Sequence, residues 1–93
     1  MSHIGSFTAR EVMGYVSEYG WHPDGVGKHP NYVHPDSDNK IQIPFHGKQT
    51  LKLQTVRSIF NQAGMLPVFR LMQKGVPWKQ IRKKVPAIEK PQP

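Results

Sequence analysis

Two stretches of the chain carry hydrophobic residues at helical spacing. In the first, a capping box of Thr8 and Glu11 is expected to begin a helix over residues 9–19, and Gly20 to end it. Its predicted buried positions are Val12, Tyr15, Val16 and Tyr19. The second stretch predicts a helix over residues 53–63 with buried positions Leu53, Val56, Ile59, Phe60 and Ala63. Each helix therefore has one face directed to a core.

Between these helices the hydrophobic pattern changes to the alternation of a half-buried sheet. Ile41, Ile43 and Phe45 alternate with polar positions and predict a strand over residues 40–45. A polar turn over residues 34–39 precedes it, and residues 26–33 predict the strand before that turn. In that earlier strand, alternation sends Tyr32 to one face and His29 to the other. If Tyr32 packs inward, His29 is displayed on the open face of the sheet.

Two prolines, Pro23 and Pro30, limit the strands of the predicted sheet. A first strand near Trp21 and His22 must be very short, because residues 23–25 read as a turn. Pro30 interrupts the next strand and belongs at an edge, a bulge or the strand's start. The predicted sheet therefore has two or three short antiparallel strands.

The C-terminal third predicts one more short helix, followed by a basic segment. Pro67 suits the first turn of a helix that Gly75 ends. Trp78 and Ile81 follow, and we expect them to pack on the domain, while residues 86–93 are expected to be disordered. The predicted fold is α+β with helices on one sheet face. We divide the chain into a flexible N-terminus over residues 1–7, a compact domain over 8–75 and a basic extension over 76–93.

Charge is distributed unevenly along these elements. The chain of 93 residues has a net charge of +7, yet five of its six acids lie within residues 1–38 and none within 39–88. Ten Lys or Arg residues occur between Lys40 and Lys84. A surface of one sign suits a phosphate-rich partner, because each neutralised phosphate releases condensed counterions. A solubilising face, or a surface for an acidic protein, remains an alternative. The run Arg82, Lys83 and Lys84 is a solvated face, or a contact for RNA or for an anionic membrane.

Several function classes find no support in the sequence. There is no cysteine, and no two of the five histidines form the His-x-x-x-His pair of a helical zinc site, so we expect neither metal nor cofactor. No apolar run approaches a membrane span, and no signal peptide opens the chain. The expected location is the cytoplasm, without a membrane partner.

The remaining candidate for a catalytic group is His29, on the open face of the predicted sheet and next to positively charged residues. An imidazole at position 29 can accept the proton of an RNA 2′-hydroxyl or donate one to a leaving oxygen. Lys28 would stabilise the crowded negative phosphorus centre and favour the neutral imidazole. His29 could equally be an ordinary edge-strand residue. His46 is read first as a turn residue before the second predicted helix and second as a catalytic residue, and we include it among the candidate RNA contacts.

The entry to the second predicted helix offers a phosphate site. Lys48 and Lys52 lie near unpaired N–H groups at the positive end of the helix dipole, and Arg57 lies on the outer face of the helix. We take these three cations as candidate RNA contacts.

Four fragments in this order resemble the HicA family of small ribonuclease toxins, also called YcfA-like proteins. They are Gly20-Trp21, Gly27-Lys28-His29 with Tyr32, Pro44-Phe45-His46 and Gln62-Ala63-Gly64. The resemblance implies a fold similar to the double-stranded-RNA-binding domain, cleavage of mRNA with His29 as the essential residue, and neutralisation by a HicB-like antitoxin that covers this histidine. Lys28 stands where the family has serine or threonine, and Pro30 follows His29 directly. A non-catalytic RNA-binding module with the same fold, or a basic protein that binds an acidic partner, therefore stays open, and the sequence does not set the oligomeric state.

Overall fold

The computed structural model describes residues 7–25, 31–44 and 50–90. Five strands and four helices follow one another over these ranges. In chain order they are β1 (Phe7–Thr8), α1 (Ala9–Glu18), β2 (His22–Asp24), β3 (Asn31–His34), β4 (Ser37–Gln42), β5 (Thr50–Leu51), α2 (Leu53–Gln62), α3 (Leu66–Gln73) and α4 (Trp78–Lys84). None of the helices in these ranges is long and apolar enough to cross a membrane.

The central sheet is antiparallel with the spatial order β2-β3-β4. Tyr32 on β3 pairs with Ile41 on β4, and both side chains are buried. A second, two-stranded sheet joins β1 to β5, with Phe7 opposite Leu51. The predicted α+β class is confirmed, with helix α1, three antiparallel strands and helix α2 in the expected order.

Helix α1 forms as its sequence predicts. The Glu11 N–H donates to the Thr8 hydroxyl at 3.2 Å, and the Thr8 N–H donates to the Glu11 carboxylate at 2.9 Å, which completes the capping box. Val12 and Val16 are fully buried. Gly20 follows the helix at a φ of 100°, a conformation that glycine adopts without a steric penalty.

The hairpin differs from the prediction in where its turn lies. The turn is confined to Pro35 and Asp36, so that β4 begins at Ser37 and ends at Gln42 instead of spanning residues 40–45. Backbone ladders do not require apolar side chains, and the polar residues 37–40 lie on an edge strand where three of the four side chains are exposed. Pro23 likewise belongs to β2, an edge strand that tolerates a residue without an N–H. Within the described residues the predicted strand over residues 26–33 is present as β3, Asn31–His34, whereas residues 26–30 and Phe45 lie outside the described residues.

Two predictions about burial are wrong. Leu53 was placed on the buried stripe of α2 but is 42% exposed. It is the first residue of the helix, and helical side chains lean toward the N-terminus, so its side chain extends past the end of the packed layer. Phe7 belongs to the N-terminus that the sequence predicts to be flexible, but its side chain is fully buried, with its ring centroid 6.2 Å from that of Phe60.

The segment beyond α3 packs onto α1. Ile81 of α4 is 1% exposed, and the Trp78 ring lies 4.8 Å from the Tyr15 ring and 6.1 Å from the Tyr19 ring between centroids. The predicted packing of Trp78 and Ile81 on the domain is confirmed. Burial raises the pKa of the Tyr19 phenol. The Arg82 guanidinium, whose Cζ lies 4.4 Å from the centroid of the Tyr19 ring, acts in the opposite direction and lowers that pKa.

Residues 85–90 follow α4 as a segment without helix or strand, here called the strap, that is bonded to two distant parts of the chain. The Tyr19 hydroxyl donates to the Val85 carbonyl, and the Glu89 N–H donates to the Gly64 carbonyl at 2.9 Å. The expectation of disorder from Pro86 onward is therefore wrong for residues 86–90, because backbone and side-chain hydrogen bonds hold this segment at both ends.

Candidate nucleic-acid interface

Four of the six predicted site residues lie outside the described residues. These are Lys28, His29, His46 and Lys48. Lys52 and Arg57 are described, and both are exposed.

Strand β3 begins two residues after His29 and has the orientation that the prediction required. Tyr32 is 6% exposed and faces the core, whereas Asn31 is exposed on the other side of the strand. Asn31 lies opposite Asp24 of β2 and Gln42 of β4, so these three exposed polar residues form one row across the open face. Tyr32 thus packs inward as the alternation argument requires, and display of His29 on the same face as Asn31 stays a prediction.

The N-terminal end of α2 lacks the groups that usually complete a helix start. Lys52 is the N-cap residue, its side chain makes no capping hydrogen bond, and the first turn contains no acid. Backbone N–H groups at this end carry partial positive charge, which the Lys52 ammonium reinforces instead of neutralising. The start of α2 can therefore bind an anion through N–H groups that a side-chain cap would otherwise occupy. The arrangement fits the predicted phosphate contact of Lys52.

His34 is an important residue that the sequence reasoning passed over. Its Nδ1 accepts the Asp36 N–H at 2.9 Å, so its Nε2 carries the proton and donates to the Tyr19 carbonyl at 2.7 Å. The ring thereby ties the β3–β4 turn to the end of α1. It also occupies the space over Gly20, where an added Cβ would lie 2.8 Å from Nε2. The available signal was His-Pro-Asp in a predicted turn, since a side-chain acceptor two residues before an N–H is a common turn device.

Two of the sequence fragments named above meet in space. The Trp21 indole N–H donates to the Ala63 carbonyl at 3.1 Å in the buried interior, which joins the end of α1 to the end of α2. Gly64 follows at a φ of 71°, and the Glu89 carbonyl occupies the position that a Cβ would take. Gly20-Trp21 and Gln62-Ala63-Gly64 therefore have structural roles in this fold.

A cleft of about 550 Å³ lies at the His34 end of the sheet. Four acids line it, with Arg82 and Lys90 also at its wall; the acids are Glu18, Asp36, Asp38 and Glu89. Because β3 runs from Asn31 to His34, the cleft and the predicted position of His29 are at opposite ends of that strand. These acids disfavour the entry of phosphates into the cleft itself. Within the part of the chain that the structure describes, no group of three His, Cys, Asp or Glu residues is placed to hold a metal ion.

Comparison with known proteins gives one finding. The family model described as HicA toxin of bacterial toxin-antitoxin matches residues 9–65, which is more than half of the chain. No curated protein matches the chain, and no solved structure matches it. The matched range begins at the first residue of α1 and ends just after α2, and so includes the three-stranded sheet between them.

Proposed function

The chain belongs to the HicA family of toxins of bacterial toxin–antitoxin systems, and we propose that it acts as a metal-independent endoribonuclease on mRNA. The family match over residues 9–65 is the observation that carries this proposal. The order helix, three antiparallel strands, helix agrees with the double-stranded-RNA-binding type of fold of this family.

In the proposed mechanism His29 is the general acid or base. As base it accepts the proton of a ribose 2′-hydroxyl while that oxygen attacks the neighbouring phosphorus, and as acid it donates a proton to the departing oxygen. Lys28 supplies positive charge to the crowded phosphorus centre. The inward orientation of Tyr32 and the exposed row at Asp24, Asn31 and Gln42 support a position for His29 in contact with solvent.

RNA is proposed to lie from this strand end toward the start of α2. Lys52 and Arg57 are exposed on α2 and its N-cap, and with Lys48 and His46 they are the proposed RNA contacts. The uncapped start of α2 supports the Lys52 assignment, because partial positive charge on its N–H groups adds to the ammonium.

The proposed partner is a HicB-like antitoxin that covers His29, and the proposed location is the cytoplasm, where mRNA is available. Family membership itself implies a cognate antitoxin. A reading frame next to that of this chain is the first place to look for it. Addition of that purified protein is expected to stop RNA cleavage.

Incubation of the pure protein with RNA in EDTA tests the activity. We expect cleavage in EDTA that is lost in His29→Ala and kept in His22→Ala, an exposed histidine of the same sheet. Binding without cleavage by the wild-type chain would support a non-catalytic RNA-binding module instead. Absence of RNA binding would leave an acidic protein as the partner of the basic half.

A further inference from the structure

Helix α4 is held rigidly to the rest of the molecule along one side. Ile81 is buried, Trp78 packs on two tyrosine rings of the α1 region, and the Arg82 guanidinium covers the Tyr19 ring. These contacts fix the rotation of the helix about its axis. The side chains on its other side therefore have a defined position relative to the domain.

That other side is cationic. Lys79, Lys83 and Lys84 are exposed, and we call them the outer face of α4. Lys79 and Lys83 are four residues apart, which places their Cβ atoms about 5–6 Å from each other on the helix surface. None of the three lysines forms an ion pair with another residue in the ranges 7–25, 31–44 and 50–90, and the sequence has no acid from residue 39 to 88.

Helix stability does not account for this charge pattern. Lys83 and Lys84 lie in the last turn, where cations interact favourably with the helix dipole. Lys79, however, lies in the first turn, where a cation opposes the dipole, and no acid accompanies it there. Its charge is thus unfavourable for the isolated helix, so helix stability gives no reason for a lysine at this position.

The surroundings of the outer face distinguish between classes of partner. A membrane-binding helix needs an exposed apolar side, but the apolar residues of α4 are directed inward, and Leu53 of α2 is the exposed large hydrophobic residue found in the described ranges. A stable protein interface needs buried aromatic or aliphatic contacts, which lysines do not supply. Phosphates need neither, and bind to closely spaced cations.

We propose that the outer face of α4 is a second contact surface for the RNA phosphate backbone, separate from the start of α2. This inference rests on the proposed function, since it concerns the same substrate. It assigns a role to a helix that lies beyond the matched range 9–65. Contacts to this face would lengthen the stretch of RNA that the protein covers. They would not depend on base sequence, because they are made to phosphates.

The salt dependence of RNA affinity tests this proposal. The probe is a 2′-O-methyl RNA oligonucleotide, which has no free 2′-hydroxyl and stays intact, with binding measured by fluorescence anisotropy over a series of NaCl concentrations. For Lys79→Gln/Lys83→Gln we expect the slope of log affinity against log salt to become shallower by about 1.4, the value for two lost contacts to a single strand. The matched control is Arg10→Gln/Lys90→Gln, which removes the same charge from two other exposed positions. The control is expected to keep the wild-type slope.

Two results would overturn the proposal. One is an unchanged slope in Lys79→Gln/Lys83→Gln, and the other is an equal change in both double variants, which would mean that net charge alone matters. RNA cleavage by the wild-type chain together with either result would reject the second contact surface and leave the nuclease assignment intact. If the wild-type chain neither binds nor cleaves RNA, the proposed function fails and the inference falls with it.

Discussion

Single residues of this chain separate into those that hold the fold and those proposed to act on RNA. Gly20, Trp21, His34, Ala63 and Gly64 belong to the first group, because each is tied by a hydrogen bond or a close approach to a distant part of the chain. Lys28 and His29 belong to the second. Substitutions in the two groups are therefore expected to affect different measurements.

Gly64→Ala is expected to destabilise the fold. An L-residue at a φ of 71° costs about 1–2 kcal/mol, and the added methyl group meets the Glu89 backbone of the strap. The free energy of unfolding in urea should fall by at least that amount. Gly14→Ala is the control, since it lies in the middle of α1 with open space around it and should stabilise the protein by about 1 kcal/mol. Equal stability of Gly64→Ala and wild type would show that the strap does not pack on Gly64.

His34→Ala is expected to lower stability through two lost hydrogen bonds. The Tyr19 carbonyl and the Asp36 N–H both lose their partner, at a cost of about 1–3 kcal/mol. Chemical denaturation measures the loss, and His22→Ala, whose ring is exposed, should stay within about 0.5 kcal/mol of wild type. A His34→Ala protein of full stability that has lost RNA cleavage would instead assign His34 to the active site.

At the scale of elements, the sequence predicted most where local chemistry decides the structure. The capping box of Thr8 and Glu11 set the start of α1, and the apolar spacing of Val56, Ile59 and Phe60 set the buried face of α2. The start of β4 was missed because residues 37–39 read as turn formers, although an edge strand accepts polar side chains. The bond of His34 to the Asp36 N–H is local and could have been predicted, whereas its contacts with Tyr19 and Gly20 could not, because those residues are distant in sequence.

At the start of α2, one substitution is expected to raise stability and to weaken RNA binding at the same time. Lys52→Ser places a hydroxyl acceptor at the N-cap and should stabilise the helix by about 1 kcal/mol. The same change removes one cation from the proposed RNA surface, so the salt slope of RNA affinity should become shallower by about 0.7. Urea denaturation and anisotropy titration measure the two effects. Lys52→Gln removes the charge without adding a cap and should weaken binding with little gain in stability. Unchanged RNA affinity in both variants would remove Lys52 from the interface.

For the whole molecule, the charge distribution and the C-terminal segment matter most. Four of the six acids surround the cleft at the His34 end of the sheet, while the half of the chain from residue 39 to 88 is free of acids. The total charge was evident from composition. The gathering of these acids at one end could not be predicted, because the β3–β4 turn and the strap that bring Asp36, Asp38 and Glu89 together are contacts between distant segments.

The division into a domain over residues 8–75 and an extension remains a prediction, which a truncation tests. A chain that ends at Gly75 loses the buried Ile81 and the packing of Trp78 on Tyr15 and Tyr19. Each such side chain contributes about 1.5–3 kcal/mol, so we expect the truncated chain to lose about 3 kcal/mol or more, measured by urea denaturation. Lys79→Gln/Lys83→Gln changes only the exposed side of the same helix and should keep wild-type stability. Full stability of the truncated chain would show that residues 8–75 suffice to fold.

The most direct test of the account is the rate at which His29→Ala cleaves a labelled RNA in EDTA under single-turnover conditions. We predict metal-free cleavage by the wild-type chain and a rate lower by about 10²–10⁴-fold in the variant, the usual contribution of a general acid or base. Stability and affinity for 2′-O-methyl RNA should be preserved in the variant. Cleavage by a stable His29→Ala protein at the wild-type rate would contradict it.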